Sequence, residues 1–205
     1  MSKAEEIEKT FARQFVAADW MLFKTMAEAN LSEAVFLKKK DMPQSGLSPL
    51  LARNIRKRLL IGIGAELLLK SSFLKAGYAI NLPAKGGLFP FPSRFELIGS
   101  GVLNKASTAT FKQCLKHINS SMTLQREQTT REGLEIAQIF RNKEAHGIVK
   151  DHPYCAATYT LIEDALKDVY WGAFSEKLVV KIGMTAEDKP VWRLDRQEGK
   201  IGVVE

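Results

Sequence analysis

Apolar residues recur along this chain at helical spacing for most of its length. Between Ser2 and about Ala29, the residues Ile7, Phe11, Phe15, Ala18, Leu22 and Met26 fall three or four apart, which predicts one amphipathic helix with a single apolar stripe. Asn30 is a stop for that helix, and Ser32 a cap for a short one ending in Lys38, Lys39 and Lys40. Pro43, Ser45 and Gly46 mark a loop. Ser48–Pro49 then offers a capping hydroxyl followed by a proline in the first helical turn, where its missing N–H costs nothing. The helix begun there is expected to run to about Lys75 and to stop at Gly77. Leu51, Ile55 and Leu59 form one apolar row, and Leu60, Ile63, Leu67 and Leu74 another. Two rows predict a helix buried on more than one side, central to a bundle.

Between Asn81 and Gly101 the pattern breaks. Pro83, Pro90 and Pro92 stand among Gly86, Gly87, Gly99 and Gly101, which excludes a long helix. The stretch reads as a loop longer than most structural connections: a lid, a binding loop, an oligomer contact or a plain insertion. Helical spacing returns with Phe111, Cys114, Leu115 and Ile118, capped by Ser107 or Thr108. A further helix is expected from about Leu124 to His146, with Ile136, Ala137 and Phe140 inward and Gly147 closing it. Asp151–His152–Pro153 opens a last helix to about Phe174, with Tyr154, Ala157, Leu161, Ala165 and Val169 on one side. After Glu176 the texture becomes rich in Val and Ile, with turn signals at Glu187–Pro190 and Glu198–Gly199, and predicts a small β hairpin. That hairpin can clip onto the bundle or onto a second subunit. The organisation is thus mostly α: a helical domain over 1–175, with its core at about 48–174, and a β appendage over 176–205.

Composition narrows this reading. With 45% hydrophobic and 26% charged residues, the chain is ordinary globular protein. Cys114 and Cys155 cannot build a disulfide framework or a four-cysteine zinc site. The most apolar run, Leu59 to Leu69, is interrupted by Glu66 and is too short to span a bilayer, so no membrane association is expected. The opening MSKAEEIEKT has no apolar stretch behind it and does not read as a secretory signal, so a cytoplasmic location is expected. The net charge of +7 is local. Lys38, Lys39, Lys40, Arg53, Arg56, Lys57 and Arg58 are opposed in their stretch by Asp41 alone, whereas the segment from Glu176 onward is balanced. Such a patch suits a polyanion such as nucleic acid, and is also what a solvated helix face looks like.

One motif carries chemistry. Arg141–Asn142–Lys143–Glu144–Ala145–His146 stands at the end of the helix that Gly147 closes, and an earlier helix reads Glu66–Leu67–Leu68–Leu69–Lys70. Together these resemble the R-x4-H motif, with Asn after Arg, and the E-L-x-x-K stretch of the HEPN superfamily. The resemblance covers about Ser48 to Phe174. It implies an up-down helical bundle and, in many members, a metal-independent endoribonuclease of prokaryotic defence or toxin systems. Other members are non-catalytic modules that bind nucleic acid, a nucleotide or a partner protein. The resemblance also implies a homodimer with a composite site, no cofactor, and an antitoxin or regulatory partner. Toxins of the superfamily that pair with a nucleotidyltransferase antitoxin often carry Tyr two residues after the His. This chain has Ile148 there, a departure that speaks against that pairing.

The residue types suit the reaction. Cleavage of RNA by its own 2′-hydroxyl needs a base for that proton, an acid for the leaving 5′-oxygen, and positive charge on the phosphate. His146 can serve as acid or base near neutral pH. Arg141 offers a planar fork of donors that fits a phosphate. Asn142, four residues before His146, shares its helix face and can orient the imidazole or hold a phosphate oxygen. Arg141 lies about 140° round an ideal helix from His146, a gap its long side chain must close. One His per chain supplies one acid–base group, which favours two motifs paired across a twofold axis. Glu66, if buried, needs a partner, either Lys70 one turn on or Arg141, whose guanidinium it would hold. No His/Asp/Glu/Cys pattern suggests a metal. His117 and His152 read as surface or capping residues, and Cys114 as core.

Overall fold

The computed structural model describes residues 2–7, 19–37, 49–92, 102–145, 156–178, 191–193 and 202–204. Helices α1 (Trp20–Phe36), α2 (Pro49–Lys75), the short α3 (Phe111–Lys116), α4 (Glu127–Ala145) and α5 (Ala156–Phe174) dominate it. The pairs β1 (Tyr78–Ala79) with β3 (Phe91–Pro92), and β2 (Asn81–Pro83) with β4 (Leu103–Thr108), lie between α2 and α3 and are antiparallel. A third antiparallel pair, β5 (Val191–Arg193) with β6 (Gly202–Val204), is the expected C-terminal hairpin.

Contacts between the long helices fix an up-down bundle. Ser71, late in α2, donates to the Trp20 carbonyl at the start of α1, 2.7 Å away, while Arg56, early in α2, pairs with Glu33 late in α1. Along α4 and α5, Thr130 meets Asp168, Gly133 meets Leu161 and Ala165, and Phe140 meets Tyr159. Gly62 of α2 abuts Ala137 and Arg141 of α4. The far end of α2 and the near end of α4 both reach the α3 segment, through Ser72–Ser121 and Arg131–Leu115. Each long helix therefore runs against its chain neighbour. α2 is central, as its two apolar rows predict: it packs on α1, α4, α5 and α3. The core joins Phe23, Ala27 and Leu31 of α1 to Ile61, Ala65, Leu68 and Phe73 of α2, and these to Leu134, Ala137 and Phe140 of α4 and Ile162, Leu166 and Val169 of α5.

The N-terminal stripe is corrected. Asp19 is extended (φ −77°, ψ 147°), and its side chain accepts from the Met21 amide, so α1 begins afresh at Trp20. Residues 3–7 form a separate helical stretch, with the Ser2 hydroxyl accepting from the Glu5 amide. Ile7, Leu22 and Met26 are exposed, Leu22 at 54%, and Phe11, Phe15 and Ala18 lie outside the described residues. The buried face is instead Phe23, Ala27, Leu31 and Ala34, one residue round the helix from the expected stripe. Asn30 does not stop α1. Its amide donates to the Met26 carbonyl at 2.8 Å, so it bonds back along the helix that continues past it, and Ser32 lies within that helix rather than capping another.

The expected loop after α2 holds strands. Each described pair has two members, so every strand is an edge, where a proline such as Pro83 or Pro92 is tolerated. Gly77 ends the α2 region with φ +86°, a left-handed conformation that glycine adopts freely. The cap of α3 is Thr110, in a reciprocal box with Gln113, and not Ser107 or Thr108. α4 starts at Glu127, later than Leu124, because its cap comes from across the bundle: buried Asp168 accepts from the amides of Gln125 (3.0 Å) and Arg126 (3.1 Å) and from the Thr130 hydroxyl (2.6 Å). On α5, Ala157 is exposed, and Tyr159, Ile162, Ala165 and Val169 form the inner side. Packing continues past residue 175, since Leu178 joins the core.

Candidate functional site

The site grows from a close approach of α2 and α4. A Cβ placed on Gly62 would lie 2.5 Å from the Cβ of Arg141 and 2.8 Å from the Ala137 carbonyl oxygen, so only glycine lets the helices meet there. One turn on from Gly62 stands Glu66. Its Oε2 accepts from Arg141 Nε at 3.0 Å, and its Oε1 takes the Lys70 ammonium at 2.9 Å. Sequence spacing left Lys70 and Arg141 as alternative partners for Glu66, and the carboxylate holds both. The carboxylate is largely buried, and so is Lys70, whose Nζ also donates to the Thr108 hydroxyl at 3.4 Å. A buried carboxylate between two cations has its lone pairs satisfied and its desolvation offset.

The guanidinium faces outward. The Arg141 side chain is 42% exposed. Its Nε is turned inward to Glu66, and its Nη1 donates to Asn142 Oδ1 at 3.3 Å. Among the described residues its Nη2 amine makes no hydrogen bond. Cys114 lies near Lys70 and Glu66. Burial pushes its thiol up to about 12, so it is a core residue and not a nucleophile.

The residues singled out in the sequence divide into three groups. Arg141, Asn142, Glu66 and Lys70 come together. His146 follows the last turn of α4 and lies outside the described residues, as do Lys38, Lys39, Lys40 and His152. The third group, on α2, is not one exposed basic face. Arg56 is exposed and paired with Glu33, Arg53 is half-buried, and Arg58 is only 2% exposed. The Lys57 ammonium sits 5.1 Å from the centre of the buried Tyr159 ring. Burial, with Arg53 adding repulsion, pushes its pKa down from 10.5 to about 8, against a smaller pull from Glu163. The cause of the mismatch is helical geometry: four cations within six residues point round most of a central helix, so some must turn inward. His117 is half-buried at the end of α3, its ring edge-on to Phe89.

Reading the sequence missed Gly62 and Tyr159, and took Thr108 only as a helix cap instead of a partner of Lys70. Gly62 had a signal: two glycines inside a helix, in Ile61–Gly62–Ile63–Gly64–Ala65, are costly unless another backbone approaches. Thr108 and Tyr159 had none, because they act across the fold. Among the described residues no group of three His, Cys, Asp or Glu side chains is placed to hold a metal, and no helix is long and apolar enough to cross a membrane. Set against models of known families, curated proteins and solved structures, the chain finds no match.

Proposed function

We propose that the protein is a HEPN-type endoribonuclease that cleaves RNA without a metal, leaving a 2′,3′-cyclic phosphate and a 5′-hydroxyl. One observation carries this reading. The Arg141 guanidinium is bonded through Nε to Glu66 while its side chain remains 42% exposed, five residues before His146 in the sequence. An arginine serving only the negative end of its helix needs no such buried anchor. In this reading Arg141 binds the scissile phosphate and meets the charge that develops on it. His146 takes the proton of the 2′-hydroxyl or gives one to the leaving 5′-oxygen, and Asn142 orients the imidazole or holds a phosphate oxygen. Two chains pair their motifs across a twofold axis to supply both proton transfers. The setting is prokaryotic defence or a toxin system with a restraining partner, in the cytoplasm. Of the basic stretch, the interior position of Arg58 leaves Arg53, Arg56, Lys57 and Lys38–Lys40 as candidate phosphate contacts.

The test is cleavage of single-stranded RNA in excess chelator by wild type, Arg141→Ala and His146→Ala, with the product ends identified. Cleavage that each substitution lowers by about 10² or more, with cyclic-phosphate ends, is expected. Equal cleavage by all three removes the site. Saturable binding without cleavage favours the non-catalytic module instead.

A further inference from the structure

We infer that Lys70, although it touches no ligand, gives the Arg141 site its net positive charge from behind, through Glu66. The inference rests on Arg141 being the phosphate-binding group. Arg141 and Glu66 alone make a neutral pair, since the 3.0 Å bond sets one full charge against another. A neutral pair attracts a phosphodiester weakly at long range. Lys70, 2.9 Å from the other carboxylate oxygen, restores one positive charge to the group. Among the described residues, the other groups bonded to this trio are neutral, Thr108 and Asn142, and the nearby Cys114 thiol stays protonated behind its burial.

Two further points favour this role over simple packing. Lys70 is 8% exposed behind the run Leu67–Leu68–Leu69, where a methionine would fill the space without the desolvation cost of an ammonium. Its charge is also well placed to act at a distance, because the low-dielectric surroundings that penalise it also screen it least. Glu66 then has two tasks of opposite sign. It aims Arg141, and it subtracts a charge that Lys70 returns. Lys70 is therefore a positioning and charge-setting residue, not a catalytic one.

Charge arithmetic gives an ordering that a purely structural role does not. The experiment measures binding of a labelled single-stranded RNA, fully 2′-O-methylated so that it cannot be cleaved, by anisotropy across a salt series. Lys70→Met, with the group neutral, should bind roughly three- to tenfold more weakly with a shallower salt slope. Lys70→Arg should match wild type. Glu66→Gln, with one more net charge than wild type, should bind more tightly yet cleave unmethylated RNA more slowly, because Arg141 is no longer aimed. The double variant Glu66→Gln/Lys70→Met, again with one net charge, should return close to wild-type affinity. Should the methionine loosen the fold on thermal melting, Lys70→Gln, which keeps a hydrogen bond to Glu66, takes its place. Weaker binding by both Glu66→Gln and Lys70→Met, or no change in either, overturns the inference. Wild type that binds but does not cleave defeats the nuclease reading and leaves this ordering to be scored; wild type that does not bind defeats both.

Discussion

A single hydrogen atom at Gly62 decides how near Arg141 can come to Glu66. Gly62→Ala puts a methyl 2.5 Å from another Cβ, so α2 and α4 must part. Such overpacking costs about 1–3 kcal/mol, to be seen as a lower urea midpoint with unchanged m. RNA cleavage should fall along with it, since the carboxylate that aims Arg141 sits one turn away. A second prediction at this scale concerns Lys57. Its pKa of about 8 lies below the unfolded value of 10.5, so below pH 8 the folded state bears the full cost of the buried charge. That cost fades as pH rises from about 8 to 10.5, where the folded state is already neutral and the unfolded chain still protonated. Lys57→Met should therefore stabilise the protein by roughly 1–3 kcal/mol at pH 7, with the gain narrowing toward pH 10.5. Parallel pH series of chemical denaturation check both sign and window. Single residues were the scale at which sequence said most about chemistry and least about exposure. Arg141, Glu66 and Lys70 were singled out by their resemblance to family motifs and by their chemistry, whereas Arg58 was placed on a surface it does not occupy, because charge alone does not say which side of a central helix a residue faces.

Helix boundaries depend on partners that sequence reading can or cannot see. α2 was legible at its C-terminal end, since Gly77 lies next to the residues it punctuates. α3 was legible from Phe111, Cys114 and Leu115, but its cap is Thr110 instead of Ser107 or Thr108, and Ile118 falls in the following 3-10 turn. α4 started late because its cap, Asp168, lies more than forty residues on in the chain. Asp168→Ala strips three hydrogen bonds from one carboxylate and leaves two amides uncapped. The loss should be about 2–4 kcal/mol, with amide exchange at Gln125 and Arg126 accelerating well before the core of α5. At the other end of α5, Ser175 takes φ 57°, and its amide donates to the Trp171 carbonyl. Ser175→Gly should raise stability by about 0.5–1 kcal/mol, read from thermal melting, since glycine enters that conformation without the Cβ clash.

Considered whole, the molecule gathers the end of α1, the start of α2, the end of α4 and the start of α5 at one end of the bundle. This is where Arg53, Arg56, Lys57, Arg58, Arg141 and Lys143 are found, with Arg58 turned inward and Arg56 and Arg141 paired to Glu33 and Glu66. The helical class and the central place of α2 were readable from periodicity. The strands between α2 and α3 were not, because two- and three-residue edge strands carry no alternation long enough to register. Cys114 offers a probe of the entire fold. With its thiol buried and held at about 12, it should react with a thiol reagent at pH 8 only through global opening. In a Cys155→Ser background, its labelling rate should follow the unfolding equilibrium of each variant above; fast labelling in native buffer would place it outside the core.

The clamping of α4 at both ends bears on how this chain can change length over evolutionary time. Thr130 is fastened to Asp168, and Arg141 is fastened to Glu66. Removing one residue between them would turn Arg141 by about 100° and draw it about 1.5 Å along the axis, away from its carboxylate. The exposed tip from Ala84 to Leu88 meets no such constraint. Among descendants of this sequence, insertions and deletions should therefore collect at that tip and be purged from the eleven steps between Thr130 and Arg141.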